Sequence, residues 1–377
     1  MKKIILKALL VFMLIGIFLF LNSMPKVTVS GCLEVPDSQK ETCFREELQK
    51  VYKKSGLVGA MDYVKGSYKS DQSFAGSCHS YMHLLGEWSF AEYGKKKSLD
   101  INADTIICGF GFYHGFMVEL FKKKADYSVA ADFCLYANSK LKLGDQLLNN
   151  DCYHGIGHGV TDFNKENIFS EADLQLVADN SIVTCKKVTN SDWEKMSSCM
   201  NGVYHSISDL IMNVVDKNKP LGFCMQQKDV YVPICLSAFG TVLMSVFNED
   251  FDESLKYAAT VGDDFAMLVI QPMSGYQGYK TVKNKDYDSS IKSCARLSQK
   301  LNLSCIRGMM EGVRDFGTPG KEAEEVMTYC NNKMMTMEQR NECIMYAVGT
   351  FDQYFGLGNK ARVCSLLSKT DYEVFCK

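Results

Sequence analysis

The stretch Cys152–Asp162, with the sequence CYHGIGHGVTD, contains a spacing that recurs along the chain. Its cysteine is followed by a glycine three residues later, a histidine six residues later and a carboxylate ten residues later; these residues are Cys152, Gly155, His158 and Asp162. Residues four apart lie one turn apart on the same face of an α-helix. The stretch therefore predicts a helix that places an imidazole and a carboxylate side by side.

Variants of this spacing occur at several other cysteines. Two keep the histidine, one replaces it with glutamate, and one places it a residue earlier. They comprise Cys108, Gly111 and His114; Cys199, Gly202, His205 and Asp209; Cys305, Gly308, Glu311 and Asp315; and Cys78, His79, His83 and Glu87. Two further copies, at Cys235 and Cys343, contain no histidine. All six histidines of the chain belong to these copies, which predicts internal repeats that share one structural position.

Composition narrows the class of protein. The chain has 377 residues and a net charge of −2, without a basic face or run, so nucleic acid is not expected as a partner. Apolar residues make up 46% of the chain and there are only six prolines. With few alternating runs of β-branched residues, this composition predicts an all-α fold.

The sixteen cysteines form neighbouring couples along the sequence. These couples are Cys32 with Cys43, Cys78 with Cys108, Cys134 with Cys152, Cys185 with Cys199, Cys224 with Cys235, Cys294 with Cys305, Cys330 with Cys343, and Cys364 with Cys376. Regular couples in an even number predict disulfides and an oxidising compartment. The alternative is reduced cysteine packed in a core. Cys78 and Cys108 are spaced most widely, and we expect a bridge there, with thiolate metal ligands as the alternative.

The couples also predict the repeat unit. Each first cysteine lies in an amphipathic stretch, a short polar connection follows, and the second cysteine begins an apolar helix. We expect αα-hairpins held by disulfides, arranged as a curved solenoid or a closed α/α toroid. Glycine pairs such as Gly155 with Gly159 predict an inner layer of closely packed second helices, because glycine inside a helix costs about 1 kcal/mol. A hairpin without cysteines is expected over residues 252–280, with its second helix kinked or broken near Pro272.

Two families share parts of this pattern. The hairpin period resembles that of tetratricopeptide-type arrays. The His-Gly helix openings, Tyr113-His114-Gly115 and Gly157-His158-Gly159, resemble the inner helices of lanthionine-cyclase-like α/α toroids. That family binds zinc through a cysteine and a separate Cys-His pair, for which Cys78-His79 is the only equivalent here. Neither resemblance covers enough of the chain to transfer a function, and no family is assigned.

The amino terminus predicts export. Residues 1–7 contain three lysines, and residues 8–21 form an unbroken apolar run. We interpret residues 1–31 as a signal peptide or membrane anchor with a short linker, and residues 32–377 as one helical-hairpin repeat domain. The lysines place that domain outside the cytoplasm. The chain is then either anchored in the membrane or secreted, in the periplasm or at the cell surface.

The histidines and carboxylates predict a metal site if the second helices converge. Imidazoles four residues apart can bind one ion from a single helix face. The expected ligands are His79, His83, His114, His154, His158, His205 and Glu311. Four carboxylates could also bind or accept hydrogen bonds from the ligand rings; they are Glu87, Asp162, Asp209 and Asp315. This donor set suits zinc, iron, manganese or copper, and two ions are compatible with it.

Function beyond metal binding stays open at the level of sequence. An open coordination position would allow a metalloenzyme. Alternatively, each histidine makes a structural hydrogen bond that was copied by duplication. The protein would then be a non-enzymatic repeat scaffold that binds a protein, peptide or glycan on its concave face.

Overall fold

A computed structural model describes residues 30–124, 127–141, 145–165, 168–355 and 358–377. These residues form twenty α-helices and three short 3₁₀ helices, and they contain no strand, so the predicted all-α class is confirmed. Residues 1–29, and with them nearly all of the predicted signal or anchor, lie outside the described residues. Within the described ranges, no helix has both the length and the apolar character needed to cross a membrane.

The helices are numbered here in chain order. They are α1 Ser30–Leu33, α2 Asp37–Ser70, α3 Gln72–Gly76, α4 Cys78–Lys96, α5 Gly111–Lys124, α6 Tyr127–Leu141, α7 Asp145–Asn164, α8 Glu171–Thr189, α9 Trp193–Leu210, α10 Gly222–Met225, α11 Val232–Ala238, α12 Gly240–Val246, α13 Phe251–Ala258, α14 Asp263–Asn284, α15 Tyr287–Cys294, α16 Gln299–Phe316, α17 Glu322–Cys330, α18 Met337–Phe355, α19 Lys360–Cys364 and α20 Lys369–Phe375.

Eight of these helices pack in sequence, each against the next, and we call them the helix series. In order they are α4, α5, α7, α9, α11, α14, α16 and α18. The remaining long helices pack against members of the series; for example, α8 contacts both α7 and α9. The series carries all six histidines and Glu311, so it places the predicted metal ligands on helices that contact one another.

Glycine allows the helices of the series to approach closely. A Cβ atom at Gly115 of α5 would overlap the backbone carbonyl oxygen of His83 in α4. A Cβ atom at Gly308 of α16 would likewise overlap the carbonyl oxygen of Gln271 in α14. The predicted close approach is therefore confirmed, and it explains why glycine recurs despite its cost inside a helix.

All eight predicted cysteine couples are bonded in the structure, with Cα–Cα distances from 5.4 to 6.0 Å. No cysteine of the described ranges is free. The bond between Cys78 and Cys108 joins the start of α4 to the segment before α5, so neither sulfur is a thiolate ligand. Eight disulfides indicate an oxidising, extracytoplasmic environment.

The expected hairpin without cysteines is formed by α13 and α14. Of the two alternatives predicted for the second helix, the break is wrong, because α14 runs from Asp263 to Asn284 with Pro272 inside it, and the kink stays a prediction. Proline removes one backbone hydrogen bond. α14 packs closely on α16, where a Cβ atom at Gly278 would overlap the carbonyl oxygen of Met309.

Residues from the two ends of the described chain also meet. The Tyr68 hydroxyl of α2 donates a hydrogen bond to Oε1 of Glu322 in α17, at 3.1 Å. Glu322 is 1% exposed and also pairs with Arg362 of α19. This buried contact spans 254 residues of sequence and brings α2 beside the last helices.

Candidate metal centre

The structure brings all six histidines together on four neighbouring helices of the series. They are His79 and His83 on α4, His114 on α5, His154 and His158 on α7, and His205 on α9. Glycines also bring α7 close to both of its neighbours. A Cβ atom at Gly155 would meet the backbone of Tyr113 in α5, and one at Gly157 would overlap the carbonyl oxygen of Cys199 in α9, so residues far apart in sequence become adjacent. We call these six residues the histidine cluster.

The first pair of the cluster is His79 and His83. Their Nε2 atoms lie 3.1 Å apart. Nδ1 of His79 lies 2.9 Å from the backbone carbonyl oxygen of Cys108. A carbonyl oxygen can only accept, so Nδ1 of His79 carries the proton and Nε2 of the neutral ring presents a lone pair toward His83.

The second pair, His154 and His158, repeats this geometry. Their Nε2 atoms lie 3.0 Å apart, and Nδ1 of His158 lies 2.7 Å from the Ser206 hydroxyl oxygen on α9. In both pairs, therefore, a hydrogen bond at Nδ1 orients one ring, that of His79 or His158, while Nε2 of that ring faces the partner ring. That arrangement is typical of metal-ligating histidines.

His114 lies between the two pairs. Its ring centroid is 5.1 Å from that of His79 and 5.3 Å from that of His83, and 4.8 Å from those of His154 and His158. His114 is 5% exposed, and its Nδ1 has no hydrogen-bond partner among the described residues. A buried polar nitrogen without a partner is costly, and a ligand bound to this atom would remove that cost.

Two groups of three histidines have potential ligand atoms within 4.8 Å of one another. One group is His79, His83 and His114, and the other is His114, His154 and His158. His205 belongs to neither group, but its ring centroid is 5.1 Å from that of His154. The helix spacing therefore places five histidines in candidate ligand positions and the sixth beside the second pair.

The surroundings hold these imidazoles neutral. Burial lowers the pKa of His83 to about 3 and that of His205 to about 4. Burial, and then the neighbouring imidazoles, also lower the pKa of His114, His154 and His158 well below the usual value. At neutral pH the cluster therefore presents neutral imidazole rings, the form that binds a metal ion.

Two adjoining cavities give access to the cluster. One, of about 560 Å³, is lined by residues of seven helices that extend from His79 in α4 to Pro272 in α14. The other, of about 440 Å³, is lined by His79, His83 and His158 together with Glu87, Asp162 and Asp209. The His79 side chain is exposed at this cavity. Desolvation by the protein around its ring nevertheless lowers its pKa.

The predicted carboxylates divide into two sets. Glu87, Asp162 and Asp209 line the cavity beside the histidines, although none belongs to either group of three. Burial raises the pKa of Glu87 and of Asp209. Asp162 also forms an ion pair with Lys165, at 2.9 Å. Lys122 and Lys165 line the same cavity, so carboxylates and lysines lie together beside the histidines.

Glu311 and Asp315 belong to a different part of the series. Oε1 of Glu311 accepts hydrogen bonds from the Tyr346 hydroxyl at 2.7 Å and from Nε2 of Gln271 at 3.2 Å. Asp315 pairs with Arg314 at 2.5 Å. Neither carboxylate belongs to a group of three. Two helices of the series, α11 and α14, separate α16 from the last histidine helix α9, which is why the structure does not bring Glu311 to the cluster.

Asp151 is a site residue that sequence reasoning missed. It lines the larger cavity with His114, His154 and His158. Burial raises the pKa of its carboxyl group to about 7. Asp151 immediately precedes Cys152, a position that carries no acid in the other histidine copies, so the repeat contained no signal for it.

Compared with protein-family models, with curated proteins and with solved structures, the chain has no significant match.

Proposed function

We propose that this protein binds transition-metal ions at the histidine cluster. The observation that carries the proposal is His114, whose buried Nδ1 lacks a partner and whose ring lies between two pairs of facing Nε2 atoms. Nitrogens bound to one ion at about 2.05 Å lie about 2.9 Å apart at a right angle and about 3.3 Å apart at the tetrahedral angle. The observed separations of 3.1 and 3.0 Å fall within this range.

The donor chemistry favours some metals over others. Neutral imidazole suits zinc, copper and iron, whereas manganese prefers carboxylate and water oxygens. The two groups of three contain only imidazole. We therefore expect zinc, copper or iron in preference to manganese. The cavities beside the rings leave space for water or a small substrate at a bound ion, which metal-assisted chemistry requires.

The proposal includes a closed arrangement of repeats. The helix series and the buried contact between Tyr68 and Glu322 support a ring of αα-hairpins rather than an open solenoid. A cavity that His79 and Pro272 line together supports the same conclusion. We further propose that the N-terminal segment exports the chain, in line with the eight disulfides.

Metal analysis tests the proposal. We expect untagged protein to keep at least one equivalent of metal after dialysis, and the double variant His154→Ala/His158→Ala to lose most of it. Glu311→Ala is the matched control, because Glu311 occupies the histidine position in its own copy of the spacing and should leave metal content unchanged. Circular dichroism checks that each variant is folded.

Two results would contradict metal binding. Wild-type protein that stays metal-free after exposure to zinc, copper and iron would leave the histidines with a structural role. Equal metal loss in Glu311→Ala would show that the assay reports folding and not ligand removal. The first result would favour the scaffold hypothesis, in which a protein, peptide or glycan binds on the concave face.

A further inference from the structure

We infer that the cluster holds two ions, one on the pair His79 and His83 and one on the pair His154 and His158, with the His114 imidazole bound to both. This inference rests on the proposed function and specifies the number of ions and the ligand that joins them. A bridging imidazole would make the site a coupled dinuclear centre.

The positions of the two pairs argue against a single shared ion. Nitrogens bound to one ion at about 2.1 Å cannot lie more than about 4.2 Å apart. No group of three combines a histidine of the first pair with one of the second within 4.8 Å. His83 and His158 approach each other only to a centroid distance of 6.4 Å. His114 alone belongs to both groups, so each pair completes a separate three-nitrogen site with it.

His114 also differs from His79 and His158, because no hydrogen bond at Nδ1 fixes its tautomer. A backbone carbonyl holds the tautomer of His79, and the Ser206 hydroxyl orients His158. Nδ1 of His114 has no such partner. An imidazole has two ring nitrogens, and both can bind a metal once the N–H proton has left. When the second ion binds, the N–H bond of His114 breaks, its proton passes to solvent, and a nitrogen–metal bond replaces it.

The surrounding charges favour two cations at this distance. The bridging imidazolate carries one negative charge between the ions. The cavities beside the cluster are lined by four carboxylates, Glu87, Asp162, Asp209 and Asp151, and by two lysines, Lys122 and Lys165, so the carboxylates outnumber the lysines. The ring of His205 lies 5.1 Å from that of His154 and 6.4 Å from that of His158, so the surroundings of the two ions would be inequivalent.

Copper titration tests the inference, whatever metal the protein carries in the cell. Metal-free protein is titrated with Cu²⁺, and bound copper is counted after gel filtration while the spin count is measured by electron paramagnetic resonance. We expect two copper ions per chain. The spin count should rise to one at the first equivalent and fall towards zero at the second, because an imidazolate bridge couples the two unpaired electrons.

Three variants provide the controls. His83→Ala should bind one copper with a full spin count. His114→Gln should abolish the coupling, whether it keeps two copper ions or fewer. Glu311→Ala should retain both ions and their coupling, because Glu311 belongs to neither group of three. If His114→Gln fails to fold, the wild-type titration and His83→Ala still decide the question.

Each contrary result has a distinct meaning. Two copper ions with a spin count of two would overturn the bridge. One copper ion at saturation would overturn the two-ion centre and leave the proposed metal binding intact. No bound copper, zinc or iron would overturn the proposed function itself.

Discussion

The histidine helices and the helices around Glu311 are built on the same packing but differ in how their polar groups are satisfied. In the first region, α4, α5, α7 and α9 carry the six histidines. In the second, α14, α16 and α18 place Gln271, Glu311 and Tyr346 in mutual contact. Both regions depend on glycine for close helix contact, at Gly202 against His154 in one and at Gly308 against Gln271 in the other.

The difference lies in the hydrogen bonds. Tyr346 and Gln271 both donate to Glu311, and Gln271 also donates to the Tyr346 hydroxyl at 2.7 Å. In the histidine region the Nδ1 atom of His114 has no partner. The same helix packing can therefore hold polar side chains that satisfy one another by hydrogen bonds, without a ligand. The Ser304 hydroxyl of α16 is also buried without a partner, so the regions differ specifically at the side chain six residues after the cysteine: neighbouring side chains satisfy Glu311, whereas Nδ1 of His114 has no partner.

The largest effects are expected from filling the glycine contacts. Gly202→Val and Gly308→Val each place side-chain atoms where a backbone carbonyl now lies. Overpacking of this kind costs about 3 kcal/mol or more when the obstacle is backbone. Urea denaturation should show comparable losses for the two variants. Only Gly202→Val should also lower metal content, because it displaces the backbone of His154.

A matched pair of smaller substitutions disturbs the same two contacts with fewer added atoms. Gly202→Ala and Gly308→Ala each add only the Cβ atom that meets a backbone carbonyl oxygen, so metal content is compared between two variants with the same local disturbance. Equal metal loss in both alanine variants would show that the two regions are not functionally distinct, and the comparison between them would fail.

The sequence predicted the disulfides and the close helix packing well, because both follow from short spacings that recur along the chain. Cysteine couples a short distance apart can form only a few hairpin geometries, and a glycine repeated in helices implies close packing. The same spacing placed His114, His158 and His205 on one face of neighbouring helices. The copy at Cys235, which has no histidine, follows the same spacing, since its Ala238 and Thr241 line the larger cavity.

The sequence predicted Glu311 among the ligands and did not reveal Asp151, and the reason lies in the arrangement of the helices in space. Which copies face one another depends on how many helices separate them in space. The partners of Glu311 come from α14 and α18, and Tyr346 lies in a copy that contains no histidine. Asp151 reaches the cavity because α7 begins before its cysteine. Neither relation repeats along the chain, so no periodic pattern could reveal it.

A second effect should appear when metal-free protein is acidified. The histidines have a lower pKa in the folded state than the usual value near 6.5, so below that pH the unfolded chain takes up more protons. Stability should fall as the pH drops from about 6.5 towards 4, by about 2–3 kcal/mol in total once solvent in the cavity is allowed for. Hydrogen exchange should show α5, α7 and α9 losing protection before α14 and α16.

Bound metal should prevent this early loss of protection in the histidine helices. Because the ion competes with protons for the same nitrogens, metal-loaded protein should keep protection in α5, α7 and α9 until the ion dissociates on acidification. If both regions instead lose protection together at the same pH, with and without metal, the histidines do not control local stability.

The smallest effect is expected from Glu311→Gln. Burial raises the pKa of the Glu311 carboxyl group, so the folded state loses stability as the pH rises through that pKa and the group ionises. Glutamine keeps an oxygen that can accept from Tyr346 and Gln271, and it carries no charge. The free energy of unfolding at pH 7 should therefore change by only about 1 kcal/mol, and its dependence on pH between 4 and 7 should weaken. Metal stoichiometry should stay at the wild-type value, measured on the same samples. A loss of metal in this variant would mean that Glu311 contributes to the site after all, and that the two regions act as one.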